Sequence, residues 1–136
     1  MIVVDTNVLS EALKPAPELA VTRWIGRHGT ELVVTSVTAA ELLFGAARLP
    51  DGARKQALAA EIASVLAAFD VLPFGEDEAG AYASIRSAQE AAGTIAGTMD
   101  IQIAAIAKTG RHSLATRNVK HFMGTGLTII NPWTDE

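Results

Sequence analysis

The sequence predicts an α/β fold, a three-layer sandwich with a central, mostly parallel sheet flanked by helices. Three observations carry that expectation. Ile2-Val3-Val4 and Leu32-Val33-Val34 are short β-branched or aliphatic runs without polar alternation, the pattern of strands buried on both faces. Helical apolar stripes lie between such runs, and strands alternating with helices build parallel sheets. The chain has 136 residues, 49% of them hydrophobic, enough to bury a core without staples. Residues 1–136 are therefore expected to form a single domain.

The elements follow in order. After the first strand, Val8, Leu9, Ala12 and Leu13 mark a helix, and Lys14-Pro15-Ala16-Pro17 breaks it, because each proline pushes its predecessor out of helical conformation. A second helix fits Glu18 to about Arg27, with Leu19, Val21, Trp24 and Ile25 apolar and Gly29 closing it. The strand at Leu32–Val34 passes through Thr35-Ser36-Val37-Thr38-Ala39-Ala40-Glu41 into another helix. Pro50-Asp51-Gly52 makes a turn. Leu58, Ile62, Val65, Leu66 and Phe69 then form the cleanest helical stripe in the chain. Val71-Leu72 is a short strand stopped by Pro73. Glu76-Asp77-Glu78 suits the dipole of a helix start, and that helix turns Ala79, Tyr82, Ile85 and Ala88 inward as far as Gly93. Thr98-Met99-Asp100 opens a further helix ended by Gly110. Ser113–Thr116 reads as a strand, 117–122 as a loop or short helix, and Leu127–Ile130 as a last strand.

Composition excludes several classes. No apolar run is long enough to span a bilayer, and no basic segment precedes a hydrophobic core at the N-terminus. The absence of cysteine removes disulfides and thiolate chemistry and fits a reducing cytoplasm. A net charge of −4 argues against phosphate-dominated, non-specific nucleic-acid binding. It does not exclude a nuclease, because a cation held by carboxylates adds local positive charge that the formal count omits.

Three acids stand out by position: Asp5, Glu41 and Asp100, each at a helix start. Glu41 shares a helical face with Val37, Ala40 and Phe44, and Asp100 with Ile103, Ala104 and Ala107, so both are expected over stripes that face the sheet. Each also has a plain structural reading. Asp5 can cap its helix, Thr38-Ala39-Ala40-Glu41 matches a capping box, and Asp100 suits the dipole of a helix capped by Thr98. Together, three acids at helix starts along one sheet edge can converge, and a buried carboxylate needs a cation, donors or a proton. No basic residue adjoins any of them in sequence. A hard divalent cation such as Mg²⁺ or Mn²⁺ suits such oxygen ligands.

Asp5-Thr6-Asn7-Val8-Leu9-Ser10, Thr38-Ala39-Ala40-Glu41-Leu42 and the run from Met99 to Ala107 together resemble the PIN-domain ribonucleases. Ala115-Thr116-Arg117-Asn118 and Asn131-Pro132-Trp133 resemble the VapC/FitB-type toxins within that superfamily. The resemblance runs in order over nearly the whole chain. It implies a compact domain with an acidic pocket binding Mg²⁺ or Mn²⁺, metal-dependent cleavage of RNA phosphodiester bonds, and neutralisation by a small antitoxin protein. It implies Asp5 and Asp100 as direct metal ligands, with Glu41 acting through water or orienting the nucleophile. Thr6, Asn7, Thr116 and Asn118 match polar positions lining the family's pocket. A fourth acid is common where this chain has His121. Arg86, Arg117 and Lys120 are candidates to hold the RNA backbone, and equally readable as solvated charges. Self-association, as a homodimer or a toxin–antitoxin hetero-oligomer, is a further expectation.

Three rivals remain at this level. A dehalogenase-like phosphatase needs a second acid where Asn7 stands. A receiver-like module carries paired acids near its start. A PIN domain that binds antitoxin but has lost activity is kept open by His121. Nucleotide-binding glycine motifs are absent.

Overall fold

The computed structural model describes residues 1–135. Strand β1 (Ile2–Val4) leads into α1 (Thr6–Ala12) and α2 (Leu19–His28). A 3-10 turn at Gly29–Glu31 precedes β2 (Leu32–Thr35), then α3 (Ser36–Ala47), α4 (Ala53–Ala68) and β3 (Val71–Leu72). Helices α5 (Glu76–Ala92) and α6 (Thr98–Thr109), β4 (Ser113–Ala115), a second 3-10 turn (Val119–Phe122) and β5 (Ile129–Ile130) complete the order. The described residues form one sheet in the order β3-β2-β1-β4-β5, with every pairing parallel. The expected three-layer α/β sandwich is therefore present. No helix among the described residues is long and apolar enough to cross a membrane.

The period-2 alternation of a strand explains the layers. Ile2 and Val4 join one core with Val8, Leu9, Trp24, Leu42 and Ile62, from the helices between β1 and β3. Val3 points the other way, into a core with Ile85, Ile101, Ile103, Leu114 and Phe122. β1 lies mid-sheet and buried on both faces, which is why its sequence is uniformly apolar. Chain order reverses between β1 and β4. In open α/β sheets that reversal leaves a crevice beyond the carboxyl ends of the strands.

Several helix faces differ from expectation. Helix α3 buries Thr38, Leu42 and Ala46, while Phe44 is 65% exposed, so Val37, Ala40 and Phe44 do not form its inner stripe. Leu19 is also exposed. In α5, Ala79 and Ala88 face solvent, and Ile85 with Gln89 is buried. Runs of alanine leave the helical phase undetermined, and the packing of each helix on the sheet sets which face is buried. The stripe on α4 holds, with Ile62 buried and Leu58, Val65, Leu66 and Phe69 packed around it. The α1–α2 link is fixed by buried Glu11, whose carboxylate accepts from Lys14 Nζ at 2.9 Å and from the Glu18 amide at 3.0 Å.

Candidate active site

Asp5 is the residue at which β1 becomes α1. Its backbone is extended, its amide donates to the Ala115 carbonyl at 2.8 Å, and its Oδ1 accepts the Thr6 amide at 2.8 Å. The capping reading of Asp5 is correct as far as it goes. The other oxygen, Oδ2, accepts the Thr116 hydroxyl at 2.7 Å and Asn7 Nδ2 at 3.1 Å. Thr116 lies just past β4, so the pair bridges the point where strand order reverses. Thr116 Oγ also accepts the Asn118 amide at 3.1 Å, and Asn7 Oδ1 accepts the Arg117 amide at 3.2 Å. The four polar residues thus form one network around a carboxylate that is 3% exposed.

Glu41 enters from α3. That helix is capped by Thr35, whose hydroxyl accepts the Thr38 amide at 3.1 Å, so Glu41 lies beyond the first turn and the expected capping box is not formed. Instead Glu41 Oε1 accepts the Thr6 hydroxyl at 2.8 Å, and Thr6 and Thr38 hydroxyls are 3.0 Å apart. Asp100 enters from the first turn of α6, where Gly97, not Thr98, precedes the helix and caps it without a side chain. Its Oδ2 lies 2.9 Å from His121 Nδ1.

Asp5, Thr6, Asn7, Ser10, Glu41, Asp100 and Asn118 line one open pocket of about 320 Å³. Ser10 is absent from the residues expected by sequence, although it stands one helical turn beyond Thr6. No lysine or arginine belongs to the lining. Burial holds the Asp5 carboxyl above the ordinary aspartate range. Hydrogen bonds from Thr116 and the Thr6 amide pull it down, while the negative charges of Asp100 and Glu41 push it up again.

This is an oxygen-rich, anionic pocket whose carboxylates repel one another. Such a donor set fits Mg²⁺ or Mn²⁺. Among the described residues no three Asp, Glu or His side chains form a ready-made metal cluster. A small hard cation does not require one, because it keeps several waters and is held through one or two carboxylates.

The three basic candidates lie outside the lining. Arg117 is exposed, with its guanidinium 5.0 Å from the centre of the Trp133 ring. Lys120 is exposed on the second 3-10 turn. Arg86, on α5, pairs with Glu90 at 3.3 Å and donates to the Tyr82 hydroxyl at 3.0 Å.

Comparison with known proteins gives a consistent result. A model of the PIN domain matches residues 2–122. VapC ribonuclease Y4jK of Sinorhizobium fredii is 41% identical, the alignment covering 98% of either chain. Toxin FitB of Neisseria gonorrhoeae is 38% identical over 99% of this chain and 100% of its own. The crystal structure of FitAcB from Neisseria gonorrhoeae superposes with a TM-score of 0.93 at 36% identity, over 98% of this chain and 99% of that one. The structure of FitAB bound to an IR36 DNA fragment gives a TM-score of 0.94 at 36% identity, over 100% and 98%.

Proposed function

This chain belongs to the PIN-domain family, and on that premise we propose that it is a Mg²⁺- or Mn²⁺-dependent endoribonuclease, the toxin of a toxin–antitoxin pair. The observation that carries the reading is the convergence of Asp5, Glu41 and Asp100, from the start of α1, the second turn of α3 and the first turn of α6, on one pocket that no lysine or arginine lines. Relatives named as a VapC ribonuclease and a FitB toxin support the substrate class and the biological role.

In this proposal Asp5 and Asp100 hold the ion directly, and Glu41 holds it through water or orients the attacking water. Bound there, a divalent ion would supply polarisation of a phosphoryl oxygen and a water of lowered pKa as the nucleophile. The chain's own residues prepare that event. Thr116, Asn7 and the Thr6 amide fix both Asp5 oxygens, so that carboxylate does not have to reorganise. The Thr6 hydroxyl fixes Glu41. Asn118 lines the same pocket. Arg117 and Lys120, on the segment leaving β4, hold the RNA backbone. Arg86, already paired with Glu90, contributes less.

The partners in this reading are RNA and a cognate antitoxin protein, with self-association into a homodimer or a toxin–antitoxin hetero-oligomer, and the setting is the cytoplasm. Solved relatives described as FitAB and VapBC complexes support the antitoxin. His121, standing where a fourth acid is common, carries a second reading, a weakly active PIN domain serving mainly to bind its antitoxin.

The test is cleavage of a mixed RNA pool with Mg²⁺ or Mn²⁺ against EDTA, using wild type and Asp5→Asn. Cleavage that needs the metal and falls by at least about a thousandfold in Asp5→Asn is expected, since this removes a direct ligand of the activating ion. Metal binding by folded protein with no cleavage supports the second reading. Equal cleavage by Asp5→Asn overturns the site.

A further inference from the structure

His121 sits on the exposed 3-10 turn after β4, and by sequence alone it is an ordinary surface histidine. Its Nδ1 nevertheless lies 2.9 Å from Asp100 Oδ2, and among the described residues no other side chain is hydrogen-bonded to that carboxylate. The 2.9 Å separation is a hydrogen bond to a carboxylate in the tautomer that carries its proton on Nδ1. Exposed histidine–carboxylate pairs ordinarily contribute little, because two free side chains must be ordered to form them. Here the backbone beneath both partners is already ordered. Phe122, the next residue, is 1% exposed. The His121 amide donates to the Asn118 carbonyl at 3.0 Å.

The clamp on this arrangement is Gln89, a residue of α5 that is 4% exposed. Its Nε2 donates to the His121 carbonyl at 3.3 Å, and its Oε1 accepts the Ala96 amide at 2.9 Å. Ala96 lies in the segment that enters α6 and so sets where Asp100 begins its turn. One buried amide therefore ties the backbone carrying the carboxylate to the backbone carrying its donor. A buried glutamine on the inner face of α5 needs partners for both ends of its amide, and these two backbone groups supply them.

We infer that His121 is a positioning residue for Asp100, held in register by Gln89, and that it fixes Oδ2 so that Oδ1 is presented to the pocket. This rests on the pocket being a metal site as proposed above, but its test does not need RNA. Carboxylates that bind metal depend on such hydrogen bonds, and losing one typically weakens binding about 10- to 100-fold.

Two measurements on the full chain test it. In metal-free protein, long-range ¹H–¹⁵N spectra of the imidazole should show a proton on His121 Nδ1, with the signal displaced in Asp100→Asn and in Gln89→Ala. A bare Nδ1 overturns the inference. Mn²⁺ titration followed by electron paramagnetic resonance should show His121→Ala binding about 10- to 100-fold more weakly than wild type, and Gln89→Ala shifted the same way. His121→Asn places an amide nitrogen near the position of Nδ1 and should return to within about threefold of wild type, as a restored hydrogen bond requires. An asparagine variant no better than alanine, or an alanine variant that binds as wild type, overturns it. Wild type that binds Mn²⁺ without cutting RNA would end the ribonuclease reading and leave this one standing. Wild type that binds no Mn²⁺ would end both.

Discussion

Asp5 and Asp100 line the same pocket and are held in opposite ways. Asp5 is 3% exposed at the end of the central strand, and its donors come from the two strand ends that flank the reversal in the sheet. The Asp100 side chain is 24% exposed, begins a helix, and has one side-chain partner that is itself half-exposed. One end of the site is thus built into the sheet. The other is set by a side chain on a 3-10 turn whose backbone is anchored by buried Phe122 and Gln89.

The sharpest way to break that contrast is at Thr116. Thr116→Val keeps the shape but removes the donor to Asp5 and the acceptor for the Asn118 amide. Mn²⁺ affinity should fall about 10- to 100-fold, and thermal or urea unfolding should show a loss of about 1–3 kcal/mol from unpaired buried groups. Unchanged affinity would mean that the sheet end of the pocket is not where Asp5 is fixed.

A second test uses pH. Because the Asp5 carboxyl is raised above its ordinary value of 3.8, folded protein binds that proton more tightly than unfolded protein. Stability is then lost as pH rises from the unfolded value through the folded one, and the full penalty is present above both. In EDTA, the melting temperature of Asp5→Asn relative to wild type should climb as pH is raised from about 4 toward neutrality. Added Mn²⁺ should remove the difference by stabilising wild type alone. A difference that stays flat with pH would show Asp5 to be less strained than its surroundings imply.

The smallest effects are expected outside the pocket. Arg117→Ala or Lys120→Ala should weaken RNA binding modestly and reduce its salt dependence by about 0.7 in log–log slope for each phosphate no longer neutralised. Arg86→Ala should leave both that slope and the melting temperature essentially unchanged, because its pairing with Glu90 is an exposed one. Binding measured across a salt series separates the three.

How far the chain can be read without its fold varies with the kind of residue. The buried runs at Ile2–Val4 and Leu32–Val34, the proline break at 14–17 and the stripe on α4 are local signals, and the folded chain keeps all of them. The alanine-rich faces of α3 and α5 carry no such signal. Ala40, Phe44, Ala79 and Ala88 therefore lie in solvent where their spacing predicts a core role. At the site, Asp5 as a helix cap and Asp5 as the centre of a pocket are alternatives on sequence grounds. In the fold they are one arrangement, because each oxygen of the carboxylate does a different job.

The sequence by itself determined the order of strands and helices, the parallel sheet and two acids at helix starts, Asp5 and Asp100, since each follows from periodicity and capping within a few residues. Only the tertiary structure decided that Thr116 reaches Asp5, that Thr6 reaches Glu41, and that His121 faces Asp100 with Gln89 behind it. Those pairs join residues 111, 35, 21 and 32 positions apart in the chain. No local pattern encodes such distances. They are set by the reversal of strand order between β1 and β4 and by the packing of α5 against α6, where the whole core decides which side chains meet.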